Sequence, residues 1–229
     1  GEEEFRIFTV GNPALDRIRV EPETSLDELE KRLGINLNNG DYAVLIQHPL
    51  SSEKEEAYQQ MRVTLEAMEE LGAEEGLRTV GIYPNTDPGS QSILKAIAGV
   101  AASQHIKFFR TLDRNTFINL LRKARVLVGN SSLGILEAPF FKLPVVNVGN
   151  RQKARINCGN VNFVPHQKEE IKKAVLKACY DEEYRRRIAK LENIYGDGHT
   201  GEKIARVLEG IDPQEKKWLI KRHLCPGEG

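Results

Sequence analysis

The chain has 229 residues, enough for one large domain or one and a half small ones. Its 33 basic and 33 acidic residues give no net charge, so the sequence offers no electrostatic reason to bind nucleic acid or a membrane surface. No apolar run approaches the roughly 20 residues that a membrane-spanning helix needs, and the three widely spaced cysteines form no zinc-binding pattern. We therefore expect a cytoplasmic protein with reduced thiols and without a metal or a cofactor.

The first segment with a regular pattern is an extended run at residues 5–10, which follows three glutamates. We interpret residues 1–12 as a hinge strand that continues from an N-terminal domain lying upstream. Residues 13–211 are predicted to form one α/β domain. Residues 212–229 read as a basic, amphipathic tail around Trp218, which we expect to pack on the domain or on a neighbouring molecule, so that a homo-oligomer is one expected outcome.

The hydrophobic pattern of the α/β domain alternates between short strands and helices. Apolar runs predict strands at residues 42–47, 79–83, 106–109, 125–128, 144–148 and 162–164. The predicted helices are one capped by Ser51 or Ser52, one at about 90–101, one capped by Asp113, one starting near Leu133, and those at 168–178, 182–191 and 200–209. Strands that are apolar throughout and separated by helices predict a doubly wound, Rossmann-like parallel sheet. Ligands of such sheets bind at the carboxyl ends of the strands, so the loops there carry the functional prediction.

The loop after the fourth of these strands, Gly129-Asn130-Ser131-Ser132, passes directly into a helix. Free amides at a helix N-terminus bind anions, and Ser131 and Ser132 add hydroxyl donors. Glu137 comes about one turn later, where a carboxylate suits the hydroxyls of a ribose. Alternatively, the serines only cap the helix. This segment alone leaves both interpretations open.

Three other strand ends carry polar side chains. His48 follows the first strand, and its imidazole can donate to a pyrophosphate or act as an acid or a base. Asn85 and Asp87 follow the second, where they can bind a sugar or a base edge or shape an Asx-type turn, which composition favours. Arg151 follows the fifth and can clamp a phosphate with two hydrogen bonds. The other cations and imidazoles of interest are interpreted as surface groups: Lys153, Arg155, His105, His166, His199 and His223.

Five motifs together resemble the UDP-N-acetylglucosamine 2-epimerase family, in the same order and spacing over nearly the whole chain. They are Gln47-His48-Pro49, Pro84-Asn85-Thr86-Asp87, Gly129-Asn130-Ser131-Ser132, Gly149-Asn150-Arg151-Gln152 and Tyr195-Gly196-Asp197-Gly198. The double serine and the Gly149–Gln152 motif are similar to the hydrolysing branch, which opens sialic acid synthesis by releasing N-acetylmannosamine and UDP. The resemblance implies the C-terminal, UDP-binding half of a two-domain GT-B arrangement, with the N-terminal domain as its partner.

The resemblance also implies ligand contacts, with UDP or UDP-N-acetylglucosamine as the ligand. His48 would lie near the pyrophosphate and count as catalytic. The other implied contacts are Ser131 and Ser132 to phosphate, Glu137 to the ribose, Arg151 within the nucleotide site, Asn85 and Asp87 near the nucleotide sugar, and Arg110 and Thr111 near the uracil. The family eliminates UDP across C1–C2 of the sugar and then adds water, with the base supplied by the N-terminal domain. We therefore expect this chain to bind UDP and to be inactive without that domain.

Two other functions remain open at this point. A GT-B glycosyltransferase also binds its nucleotide donor through a glutamate and a helix N-terminus, although the Gly149–Gln152 motif and the Tyr195–Gly198 motif argue against it. A stand-alone domain that senses UDP-sugars is the non-enzymatic alternative.

Overall fold

The computed structural model describes residues 2–220, which divide into two compact units. One unit contains the residues up to Val20 and those from Tyr195 onward, and the other is Glu21–Ile194. Residues from both ends of the chain thus form one unit, whereas the sequence was divided at residues 12 and 211. His223 and residues 221–229 of the tail lie outside the described residues.

All six strands lie in the larger unit and form one parallel sheet. They are β1 (Tyr42–Ile46), β2 (Arg78–Ile82), β3 (Ile106–Phe109), β4 (Val126–Gly129), β5 (Val145–Val148) and β6 (Val161–Val164). Their order is β3-β2-β1-β4-β5-β6, and every neighbouring pair is parallel. The predicted strands are confirmed to within one residue at each end, and so is the Rossmann-like sheet. Chain order reverses between β1 and β4, which places the topological switch point there.

Helices of the larger unit cover the sheet on both faces. The smaller unit contains α1 (Pro13–Val20), α9 (Thr200–Glu209) and α10 (Lys216–Leu219). The larger unit contains α2 (Leu26–Leu33), α3 (Ala57–Glu75), α4 (Ser90–Ala98), α5 (Arg114–Lys123), α6 (Leu133–Leu136), α7 (Lys168–Tyr180) and α8 (Glu182–Ala189). Strand β1 is buried along its whole length: Ala43 and Leu45 pack on the side of α3 and α7, while Val44 and Ile46 pack on the side of α2 and α5. This explains why its sequence is apolar throughout instead of alternating. No helix within residues 2–220 has the length and apolar character needed to cross a bilayer.

The extended run at residues 5–10 is not a strand, and this prediction is wrong. Glu4–Arg6 forms a 3₁₀ turn, and residues 7–12 have no regular structure. The described part of this unit contains no strand with which the run could pair. Instead, Arg6 lies against the rings of Phe5 and Trp218, with its guanidinium carbon 4.8 and 5.8 Å from the two ring centroids. Trp218 of the tail therefore packs within its own unit.

Two local predictions about helix starts also need correction. Ser51 and Ser52 do not cap α3, because Ser51–Glu53 is a separate 3₁₀ turn and the helix begins at Ala57 without a side-chain cap. Helix α2 was missed, although Ser25 caps it by accepting from the Glu28 amide and Gly34 follows its last residue. The capping of α5 by Asp113 is confirmed, since its carboxylate accepts from the Thr116 amide at 3.0 Å.

Candidate functional site

The switch point between β1 and β4 is held together by Asn130. This residue was not predicted to belong to the site. Its side-chain Oδ1 accepts from the backbone amide of His48 at 2.7 Å, and its Nδ2 donates to the His48 carbonyl at 2.9 Å. The side chain is buried, and both hydrogen bonds are partly shielded from water. Asn130 thereby fixes the position of His48 at the crevice where ligands of this fold bind.

The imidazole of His48 is oriented by the loop after β2. Its Nδ1 accepts from the backbone amide of Asn85 at 3.1 Å, so in the neutral ring the proton is assigned to Nε2. Burial, together with the nearby Arg151 guanidinium, lowers the pKa of His48 below its usual value, against the opposing charge of Asp87. His48 is therefore a neutral imidazole whose remaining nitrogen is a hydrogen-bond donor.

Asn85 and Asp87 form the Asx-type turn that composition favoured. The Asn85 Oδ1 accepts from the Asp87 amide at 3.4 Å, and its Nδ2 donates to the Asp87 carboxylate at 2.6 Å. Asp87 also lies 3.9 Å from the guanidinium of Arg151. The turn thus places one carboxylate next to the cation of the same crevice.

Arg151 reaches the crevice from the loop that follows β5. Its Nη1 donates to the backbone carbonyl of Asn130 at 3.2 Å, and the neighbouring Gln152 donates to the same oxygen at 3.0 Å. The guanidinium is half-buried, while Lys153 and Arg155 are exposed. The prediction that these two cations are ordinary surface groups is confirmed.

Ser131 and Ser132 lie at the start of α6, which is a single turn that continues into a 3₁₀ turn at Ala138–Phe141. The Ser131 hydroxyl accepts from the Leu133 amide at 3.4 Å, whereas Ser132 makes no side-chain capping bond. The Ser131 hydroxyl therefore caps the helix with one long hydrogen bond, and the Ser132 hydroxyl does not cap it. Burial raises the pKa of Glu137 above its usual value, against the opposing effect of Arg114.

Arg110 and Thr111 are exposed at the end of β3. The Arg110 guanidinium carbon lies 5.8 Å from the ring centroid of Tyr83, which begins the loop of Asn85. No side-chain hydrogen bond in the described part of the chain joins Arg110 or Thr111 to His48 or Arg151. The structure thus brings four predicted site residues together around Asn130: His48, Asn85, Asp87 and Arg151. Arg110 and Thr111 do not belong to this group.

His166 was predicted to lie on the surface, but it is half-buried. A Cβ added to Gly149 would lie 2.2 Å from the His166 Nε2, so the ring packs directly on that glycine. The Nδ1 atom is buried and finds no hydrogen-bond partner among the described residues. Burial lowers the pKa of His166, against the opposing charge of Glu53. The contact cannot be read from the sequence, since 17 positions separate the two residues.

We expect the two half-buried histidines to make the protein less stable as the pH falls from 7 to 5. The unfolded chain binds a proton on each imidazole near pH 6.5, whereas the folded chain, with lowered pKa values, does not. Stability is therefore full above this range and declines through it. Urea unfolding at pH 7, 6 and 5 measures the decline, and His166→Gln is expected to flatten it. An equally steep decline in His166→Gln would contradict the assignment.

Among the described residues, no three histidine, cysteine, aspartate or glutamate side chains come together in a metal-binding arrangement. The crevice instead collects hydrogen-bond donors and one guanidinium at the switch point of a parallel sheet. The fold and this crevice define a doubly wound, Rossmann-like domain with its ligand crevice at the switch point of the sheet.

The family follows from comparison with known proteins. The family model described as UDP-N-acetylglucosamine 2-epimerase matches residues 1–209, and the chain belongs to this family. It is 31% identical over 211 residues to a UDP-N,N'-diacetylbacillosamine 2-epimerase (hydrolyzing) of Legionella pneumophila, covering 92% of this chain and 53% of the relative. It is also 31% identical over 179 residues to a UDP-N-acetylglucosamine 2-epimerase of Neisseria meningitidis, covering 78% of this chain and 46% of the relative.

Solved structures show the same fold. The crystal structure of the UDP-GlcNAc 2-epimerase from Neisseria meningitidis bound to UDP-GlcNAc matches with a TM-score of 0.69 at 16% identity, over 88% of this chain and 55% of that one. The structure of the UDP-GlcNAc 2-epimerase from Methanocaldococcus jannaschii matches with a TM-score of 0.65 at 18% identity, over 91% and 57%. The chain spans about half the length of the relatives it matches.

Proposed function

We propose that this chain is the UDP-binding part of a hydrolysing UDP-sugar 2-epimerase that converts UDP-N-acetylglucosamine and water to N-acetylmannosamine and UDP. The observation that carries the proposal is the convergence of the His48 imidazole and the Arg151 guanidinium on one crevice at the switch point. Two relatives whose names include "hydrolyzing" support the hydrolysing reaction. Membership of the 2-epimerase family favours this function over a glycosyltransferase.

In this proposal the pyrophosphate of UDP binds at His48 and Arg151, with the hydroxyls of Ser131 and Ser132 completing the site. Glu137 accepts from the ribose hydroxyls, and Arg110 and Thr111 border the uracil. Asn85 and Asp87 lie on the side of the sugar. Because the His48 Nδ1 already accepts from Asn85, its Nε2 donates a hydrogen bond to the pyrophosphate, which stabilises the negative charge that develops when UDP leaves.

The proposed reaction needs a second domain. Elimination removes the proton from C2 while the C1–O bond to UDP breaks, and water then adds to the resulting double bond. The donors of this crevice suit the departing UDP, whereas the C2 proton needs a base. We propose that the N-terminal domain supplies that base, and that this chain alone binds UDP without turning over the sugar.

Titration calorimetry with UDP tests the proposal. We expect saturable binding by this chain, and loss of binding in Ser131→Tyr, whose ring would occupy the phosphate position. No heat at millimolar UDP, or unchanged binding in Ser131→Tyr, would refute the site.

A second experiment tests the reaction. The chain joined to the upstream half of a relative should release UDP from UDP-N-acetylglucosamine. Transfer of the sugar to an acceptor would instead indicate a glycosyltransferase. A stand-alone sensor would bind UDP and release none when joined in this way.

His48→Ala is expected to weaken UDP binding by about 1.5–3 kcal/mol, roughly 10- to 100-fold, because it removes a hydrogen bond to a charged group. His48→Gln should retain part of the affinity, since its amide can still donate. His105→Ala, at the opposite end of the sheet, is the matched control and should bind like the unmodified chain. Equal affinities for all three variants would remove His48 from the site.

A further inference from the structure

The loop from Gly149 to Gln152, which carries Arg151 into the crevice, is held from a second direction by Glu53. The Asn150 Nδ2 donates to the Glu53 Oε1 at 3.1 Å. Glu53 comes from the 3₁₀ turn Ser51–Glu53, which follows the segment of His48. A single contact therefore joins the loop after β1 to the loop after β5 across 97 residues of sequence.

The carboxylate of Glu53 is itself fixed in place. Its Oε2 accepts from the Gln60 Nε2 at 2.7 Å, on the first turn of α3. Both carboxylate oxygens thus have hydrogen-bond partners, one on the loop after β5 and one on α3. The hydrogen bonds from Asn150 and Gln60, aided by His166, hold the pKa of Glu53 below its usual value, so it is ionised at neutral pH. An ionised acceptor makes a stronger hydrogen bond to an amide than a neutral one does.

The opposite side of the loop is closed by His166. Its ring packs on Gly149, which has a φ of +81°, a conformation that favours glycine. Gly149 is thus confined by the imidazole, and Asn150 by the carboxylate. Arg151 is the next residue, so both contacts lie within two positions of it.

We infer that Glu53 is a positioning residue of the nucleotide site, which holds Asn150 so that Arg151 presents its guanidinium beside His48. The inference rests on the proposed function, because that function assigns Arg151 to the pyrophosphate. Glu53 contacts neither Arg151 nor His48 through a hydrogen bond of the described residues. Its effect should therefore fall on binding of phosphate groups and not on binding of the uridine.

Binding of UDP and of uridine to a set of variants tests this. Glu53→Ala should weaken UDP binding about five- to tenfold and change uridine binding less than twofold. Asn150→Ala should have the same effect, and the double variant should be no worse than either single one, because both remove the same contact. Glu53→Gln keeps one acceptor oxygen and should lie between. Glu55→Ala removes an exposed carboxylate from the same loop and is the matched control.

A second measurement keeps the inference testable without a ligand. Hydrogen–deuterium exchange of peptides covering residues 149–153 should be faster in Glu53→Ala and Asn150→Ala than in Glu55→Ala, with unchanged exchange in β1 and β4. Unchanged exchange in this loop, or equal loss of UDP and uridine binding, would overturn the inference. If the unmodified chain binds no UDP, the proposed function fails, and the exchange data still decide whether Glu53 holds the loop.

Discussion

Gly129→Ala is expected to cost about 3–5 kcal/mol of unfolding free energy, the largest effect of any single substitution considered for this protein. Gly129 ends β4 with a φ of +120°, a backbone conformation that side chains rarely adopt. A Cβ at this position would lie 2.1 Å from the carbonyl oxygen of Ile46 in the neighbouring strand. The obstacle is backbone of the central strand β1, so it cannot move aside without disrupting the sheet at the switch point.

Two other glycines show how much of this lost stability comes from the backbone conformation and how much from the overlap with Ile46. Gly40 has a φ of +96° with no atom near the position of an added Cβ, so Gly40→Ala should show the conformational cost alone, about 1–2 kcal/mol. Gly210 has a helical φ of −84°, and an added Cβ would make only ordinary van der Waals contacts, the nearest at 3.5 Å, so Gly210→Ala should be nearly neutral. Chemical denaturation of the three variants measures the differences. If Gly129→Ala were no less stable than Gly40→Ala, the close approach to Ile46 could not be the main cause.

The sheet could be predicted from the sequence because its signals are local. Each strand of the sheet is a short, largely apolar run, and β1, β4 and β5 are buried along their whole length. Turn-forming residues mark the ends of these runs. The general rule for ligand sites in parallel sheets then indicates which loops to examine. His48 and Arg151 stand in two of those loops and were predicted as site residues, and the structure places them in one crevice.

The residues that organise the crevice could not be predicted in the same way. Asn130 acts through His48, 82 residues earlier, and Glu53 acts through Asn150, 97 residues later. A sequence reveals the type of each side chain, whereas the partner is decided by which loops the sheet order brings together. His166 was misjudged for the same reason, since its burial depends on its contact with Gly149.

The extended run at residues 5–10 shows the opposite error. Its aromatic and β-branched side chains are a local signal for a strand, but a strand also needs a partner with which to form hydrogen bonds. The described residues of its unit offer none, and Arg6 instead lies against the rings of Phe5 and Trp218, which also contact each other. A local pattern therefore predicts a strand reliably only where the surrounding fold provides a neighbouring strand.

Arg151→Ala is expected to weaken UDP binding by about 1.5–3 kcal/mol, because it removes a charge-assisted contact to the pyrophosphate. In the free protein the guanidinium donates to the Asn130 carbonyl and lies 3.9 Å from the Asp87 carboxylate. It is therefore already at the crevice and little side-chain entropy is lost when a phosphate binds. Uridine, which has no phosphate, should bind to this variant as it does to the unmodified chain.

Two variants show whether charge or geometry matters at this position. Arg151→Lys keeps the charge but cannot donate two parallel hydrogen bonds, so it should recover only part of the affinity. Arg155→Ala removes an exposed cation four positions later and should leave UDP binding within twofold at physiological salt, since surface charges are largely screened there. Titration calorimetry of the variants with UDP and uridine gives the comparison. A loss in Arg155→Ala as large as that in Arg151→Ala would mean that the loop attracts UDP by its overall charge, and that Arg151 has no specific place in the site.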